Sequence, residues 1–262
     1  MSPFTRFRLR QISRAIGIRF RSGTPVARDM DAICRHFYNI GFRPKTIVDV
    51  GVADGTLELY RHFPHAKLEL VEPIEEFRPS IEGILKKYRG NVHFVAAGPK
   101  DEEVSFAIDS DVAAWHNAKL ATGPRMATRA IQMRRLDTIL KEVEGPVLLK
   151  VDVEGFELGV VDGAPELMRL VEVAILETRV IQTIEESAIF SEVCAHMVAL
   201  GFEVYDIIDM IARPLDGALV LCDIVFVRRD SSLRSDLRYE SEEQAQRHAR
   251  RLMPTIRRLL RL

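Results

Sequence analysis

The run DVGVADGT at 49–56 closes an apolar, β-branched stretch, TIVDV at 46–50, and sets Gly51 and Gly55 four residues apart. Glycines there let the backbone turn tightly and approach a ligand with no Cβ in the way. A helix beginning just after such a turn aims its free N–H groups at the same place. The spacing runs through Ala53 as G-x-A-x-G, unlike the G-x-G-x-x-G turn that cradles a dinucleotide pyrophosphate. Asp49 and Asp54 add negative charge where a pyrophosphate would have to sit. A cation, such as a sulfonium with an amino-acid ammonium, suits the turn better. Glu72 follows about 20 residues on, the spacing at which an acid ending the second strand takes both ribose hydroxyls. Pro73 fixes the exit from that strand. Asp49, Gly51, Ala53, Asp54, Gly55, Glu72 and Pro73 are thus candidate binders of a sulfonium nucleoside, S-adenosyl-L-methionine. The alternative is a structural turn beside a solvated glutamate.

A second run, DVEGFE at 152–157, follows the apolar stretch VLLKV at 147–151. Ligands of open parallel sheets bind at the carboxyl ends of the strands, so Asp152 and Glu154 point at chemistry. Two close carboxylates raise the pKa of one of them, and a carboxylate so poised acts as a base. Gly155 permits close approach of a substrate. Alternatively one acid caps the next helix, and Glu157, on that helix, reads as solvated. His116 competes as a base because its ordinary pKa lies near neutrality, against simple exposure on its loop. Magnesium is a further alternative, held by the oxygens of Asp152, Glu154 and Glu177. His62 and His65 read as surface, since Pro64 breaks the helix a metal pair would use. Phe77 lies under an adenine or in the core.

The elements that must position these residues alternate between helix and strand. That pattern predicts an α/β domain, a doubly wound, mostly parallel sheet with helices on both faces. Helices are predicted over 29–40, 56–63, 75–88, 136–143 and 190–200 by apolar spacing and by the stops at Gly41, Pro64 and Gly201. Strands are predicted over 46–50, 68–71, 92–96, 147–151, 173–176, 203–208 and 224–227. The alternating run 104–108 reads as an antiparallel addition near the sheet edge. The stretch 109–128 has no period, contains Gly123 and Pro124, and reads as a functional loop.

A hydrophobic content of 47% and a charged content of 29% suit a soluble domain, and a net charge of −1 gives no reason to expect a nucleic-acid partner. Cys34, Cys194 and Cys222 are too scattered for a disulfide frame or a zinc site and suit a reducing, cytoplasmic compartment. No apolar run is long enough to span a bilayer or serve as a signal peptide. Residues 1–28 contain seven arginines and no acid, with Leu9, Ile12, Ile16 and Phe20 on one helical face. At the other end Leu252, Ile256 and Leu259 form a stripe among arginines. Such ends lie on anionic membrane surfaces, here the inner face of the membrane. The alternatives are packing on the domain, packing on a second copy in a homodimer, or partial disorder. The expected division is 1–28, 29–230 and 231–262.

DVGVADGT, LELVEP, LLKVDVEGFELGVVDGA and VAILETR, in this order, resemble the FkbM family of S-adenosylmethionine-dependent methyltransferases across residues 33–229. The resemblance implies a class I methyltransferase (Rossmann-like) fold, a seven-stranded sheet whose last strand is antiparallel. It implies O-methylation, often of hydroxyls in sugars, glycans, glycolipids or related natural products. Asp49, Gly51, Asp54, Gly55 and Glu72 would bind the cofactor, and Asp152, Glu154 and Gly155 would stand at the reaction centre. The loop with Trp115, His116 and Lys119 departs from the family pattern, and the basic ends fall outside it. Methylation of protein or RNA and a non-catalytic cofactor-binding module are the competing functions.

Overall fold

The computed structural model describes residues 29–107, 119–120, 128–185, 187–247 and 250. Contacts divide the chain into two units, 27–235 and a second one formed by 1–26 with 236–262. In the described part of the second unit, a helical turn at 242–247 follows an Asp236–Arg238 ion pair.

The first unit opens with α1 (Met30–Asn39), capped by Asp29, whose carboxylate accepts from the Ala32 amide at 2.7 Å. Its buried face is Met30, Ile33, Cys34 and Phe37. Then come β1 (Thr46–Val50), α2 (Leu57–His62), β2 (Lys67–Val71), a 3-10 turn at Glu75–Phe77 and α3 (Arg78–Leu85). Next are β3 (Gly90–His93), β4 (Ala96–Ala97), β5 (Glu102–Ala107), β6 (Lys119–Leu120), β7 (Thr128–Arg134) and α4 (Leu136–Ile139). β8 (Val147–Val151), α5 (Glu157–Asp162), α6 (Pro165–Met168) and β9 (Val171–Arg179) lead to α7 (Phe190–Ala199), β10 (Phe202–Ala212) and β11 (Leu219–Arg228).

The main sheet has seven strands in the order β3-β2-β1-β8-β9-β11-β10. The first five run parallel, and β11 inserts antiparallel between β9 and β10. The chain starts at β1 in the middle, winds outward to β3, then returns to β8 on the other side of β1. This reversal is a topological switch point, where a crevice opens beyond the strand ends. Register holds Thr46 against Val147 and Val50 against Val151, so Gly51 and Asp152 leave the sheet side by side. All five residues of β1 and of β8 are buried, as strands covered on both faces require.

Three expectations are corrected. The run 104–108 does not extend the main sheet; β5 belongs to a second sheet of order β4-β7-β5-β6. Its partner β7 begins inside the stretch read as loop, and β6 lies within it. The stretch 92–96 is divided, because β3 ends at His93 and Ala96 starts β4 in the other sheet. No helix among the described residues is long and apolar enough to cross a membrane.

Candidate active site

Gly51 makes the floor of the site. Its φ is +80°, its N–H donates to the Val71 carbonyl at 2.9 Å, and a Cβ would lie 1.8 Å from the Asp152 carbonyl oxygen. The crowding across the switch point therefore dictates glycine. Ala53 also has a positive φ, 45°, which turns its N–H onto Glu72 Oε2 at 2.9 Å. Glu72 Oε1 accepts from the Ile74 amide at 2.8 Å, so one carboxylate ties together the turns after β1 and β2. Burial pushes Glu72 up to about 7, the two amides opposing and Asp49 and Asp152 adding to the rise. Each of its oxygens keeps a lone pair for a further donor.

Above this floor lies a cavity of 210 Å³. Gly51, Ala53, Glu72 and Pro73 line it, together with Asp152, Glu154 and Glu177. Its apolar lining includes Ile74, Phe77, Met133 and Phe156, surfaces fit for a flat heteroaromatic ring. Phe77, 8% exposed, serves both the cavity and the core. A second cavity, of 320 Å³, is lined by Gly55, Lys150, Asp209 and Asp223, and it shares Asp152 and Glu177 with the first.

Three predicted cofactor residues stand apart from the first cavity. Asp49 is buried beneath the turn, where the Tyr60 hydroxyl donates to it; burial raises its pKa, and that bond and Lys150 oppose the rise. Asp54 is exposed and accepts from the Ser80 hydroxyl at 2.7 Å. Gly55, with φ +93°, borders the second cavity only. His62 is partly buried and bonded to Asp31 at 2.9 Å, while His65 is exposed. His116 and Trp115 lie outside the described residues, as do the basic ends.

The turn after β8 is left-handed at Glu154 and Gly155, with φ of 56° and 104°. It aims the Val153 and Gly155 amides inward, and buried N–H groups need an acceptor. Glu157 supplies it, accepting at 3.2 and 2.9 Å while only 3% exposed. The reading of Glu157 as solvated is corrected: it locks the turn that presents Asp152 and Glu154.

Sequence reasoning missed two cations. Lys150 is buried in β8, 3.1 Å from Asp152 Oδ2 and 3.6 Å from Asp223 Oδ2. Burial disfavours its charge, but Asp152, Asp223, Glu177 and Asp49 outweigh that and hold its pKa above the ordinary lysine value. Arg179, at the end of β9, binds Glu154 Oε2 at 2.6 Å. A lysine inside an otherwise apolar strand was the available signal, since buried lysines are paired. Glu177 sits opposite Asp223 in register and accepts no hydrogen bond from any described residue. Burial and Asp152 push it up to about 9, with Glu154 and Asp223 adding and Lys150 opposing.

Oxygens of Asp152, Glu154 and Glu177 lie within 4.8 Å of one another. Magnesium needs an octahedral set of oxygens and carries two positive charges. Here Asp152 and Glu154 already serve Lys150 and Arg179, and a dication would face both of those cations. The donor set does not fit magnesium.

A mostly parallel seven-stranded sheet, reversed only at β11 and carrying its cavity at the β1/β8 switch point, is the class I methyltransferase architecture. The methyltransferase FkbM domain matches residues 49–204, more than half of the 262-residue chain, so the chain belongs to the FkbM family. It is an S-adenosylmethionine-dependent methyltransferase. Comparison with curated proteins returns no sequence match. Similar solved structures include magnesium protoporphyrin IX methyltransferase from Synechocystis PCC 6803 with bound SAM (9% identity, 76% of this chain and 77% of that one, TM-score 0.45). Another is Burkholderia thailandensis 1,6-didemethyltoxoflavin-N1-methyltransferase (12% identity, 77% of each chain, TM-score 0.43). A third is Aeropyrum pernix fibrillarin (14% identity, 71% of this chain and 67% of that one, TM-score 0.42).

Proposed function

We propose that the protein transfers the methyl group of S-adenosyl-L-methionine to a hydroxyl of a sugar, glycan, glycolipid or related natural product. The observation that carries this reading is the acidic wall of Asp152 and Glu177 between two cavities. One cavity has the lining a nucleoside needs, with apolar side chains and Glu72 for the ribose hydroxyls. The other gives an acceptor its own approach to the same wall. Methyl transfer is a displacement at carbon, so holding nucleophile and sulfonium in line supplies much of the rate. An alcohol is a weak nucleophile until its proton is taken, and the wall offers acceptors for that proton.

Isothermal titration with S-adenosylmethionine and S-adenosylhomocysteine tests the cofactor, and absence of binding to both would remove the reading. Transfer of labelled methyl across a panel of free sugars, glycolipids, proteins and RNA then tests the acceptor. Label confined to protein or RNA would overturn the hydroxyl-bearing class. For the basic ends, the reading is contact with an anionic membrane surface. Flotation with phosphatidylglycerol vesicles checks it, and failure to float at low salt would dismiss it.

A further inference from the structure

We propose that Glu177, rather than Asp152 or Glu154, takes the proton from the acceptor hydroxyl. The inference rests on the O-methylation reading and deepens it.

The three carboxylates differ in what already holds them. Lys150 binds Asp152 at 3.1 Å, and Arg179 binds Glu154 at 2.6 Å. A carboxylate bonded to a fixed cation is stabilised in its charged form and is a weak base. Asp49, Glu72, Glu157 and Asp223 are likewise engaged by a hydroxyl, by amides or by Lys150. Glu177 is the exception, with no hydrogen-bond donor among the described residues. It also lines both cavities, so it can meet an acceptor entering from one and a sulfonium bound in the other.

The groups facing Glu177 set its proton affinity. Lys150 on β8 favours its ionisation, while Asp152, Glu154 and Asp223 oppose it; Asp209 on β10 adds an acid to the second cavity. Burial, and after it Asp152, Glu154 and Asp223, push its pKa up to about 9, which favours the protonated form near neutral pH. A sulfonium bound beside it favours the carboxylate, so cofactor binding expels the proton and arms the base. In the reaction the hydroxyl proton moves to a Glu177 carboxylate oxygen as the acceptor oxygen bonds to the methyl carbon. The carbon–sulfur bond breaks, its electron pair stays on sulfur, and neutral S-adenosylhomocysteine results. Glu177 keeps that proton as the product leaves and gives it to solvent when the next S-adenosylmethionine binds.

The test counts protons released on binding, by calorimetry of the full chain in buffers of different ionisation heat near neutral pH. Both ligands share the ribose and the ammonium, so any contribution from Glu72 cancels between them. S-adenosylmethionine is expected to release close to one proton more than S-adenosylhomocysteine. Glu177→Gln is expected to abolish that difference, to keep affinity for S-adenosylhomocysteine within about 3-fold, and to lower kcat by roughly 10²–10⁴-fold. Equal proton release by the two ligands in the unmodified protein would overturn the proposal without any variant. So would a difference that survives Glu177→Gln. Absence of binding by either ligand would instead remove the methyltransferase reading, and the proposal with it.

Discussion

Replacing Lys150 with methionine keeps the volume of the side chain and removes its charge. The Lys150 and Asp223 side chains are only 5% and 10% exposed and lie 3.6 Å apart, so the change strands a buried carboxylate. Breaking a buried pair from one side costs about 3–5 kcal/mol. Asp152, whose side chain is 39% exposed, is screened by water and adds little. In a chain of this size each kcal/mol moves Tm by about 2–4 °C, so the expected fall is about 6–20 °C. Its pH dependence has a definite sign. Burial already holds the Asp223 pKa above the ordinary value with Lys150 opposing, and removing Lys150 raises it further. A carboxyl whose folded pKa is raised favours folding below its unfolded pKa and loses that contribution as pH rises through the folded pKa. The gap between the two proteins should therefore be smallest in acid and widen toward mildly alkaline pH, the direction set by the rise of the Asp223 pKa above the unfolded value of about 4. Thermal unfolding followed by circular dichroism across that range measures it. A variant melting within about 2 °C of the parent throughout, or a gap widest in acid, would refute the counter-ion role of Lys150.

Gly51→Ala should abolish S-adenosylhomocysteine binding, because its Cβ would sit 1.8 Å from the Asp152 carbonyl oxygen. Gly41→Ala meets nothing within 4 Å, and at its φ of +92° it should cost only about 1–2 kcal/mol in urea unfolding. Tyr60→Phe leaves buried Asp49 without its hydroxyl donor and should lower stability by about 1–3 kcal/mol by the same measurement. Because burial pushes Glu72 up to about 7, S-adenosylhomocysteine affinity should weaken as pH falls below that value and the carboxylate loses an acceptor. Glu72→Gln should flatten this dependence and bind about 10-fold more weakly or worse, as titration calorimetry will show. Dialysis against EDTA should leave methyl transfer unchanged within about 2-fold, since Lys150 and Arg179 already answer the acids a metal would use.

β1 and β8 are legible in the sequence residue for residue, because each is a five-residue apolar run stopped by a ligand turn. β7 is not, because only Ile131 and Met133 face inward while Arg129 and Gln132 are exposed. Two apolar residues do not announce a strand; pairing with β5 makes it one. The Gly51 turn and Glu72 could be read because spacing within one βαβ unit fixes their meeting. Lys150, Arg179 and Glu157 could not, since their roles depend on partners or burial that only the assembled switch point supplies. Lys150 meets Asp223 across the sheet, and Glu157 is drawn inward by amides that a left-handed turn has reversed.

The charge at the switch point links these features to turnover. Among the described residues, Asp49, Asp152, Glu154, Glu177 and Asp223 stand around two cations, Lys150 and Arg179. In a partly buried site that excess of acid favours an arriving cation far more than it would in water. A sulfonium brings the missing positive charge, and methyl transfer removes it by leaving sulfur neutral. The acids that draw the cofactor in therefore have less hold on the product. The proton taken from the acceptor restores balance while the product is still bound, because it neutralises one carboxylate as the sulfonium charge disappears. Glu177 suits that duty best, since Lys150 binds Asp152 and Arg179 binds Glu154, while no described residue donates a hydrogen bond to Glu177. The cations thus divide the work: they bind two of the acids and leave the third to cycle.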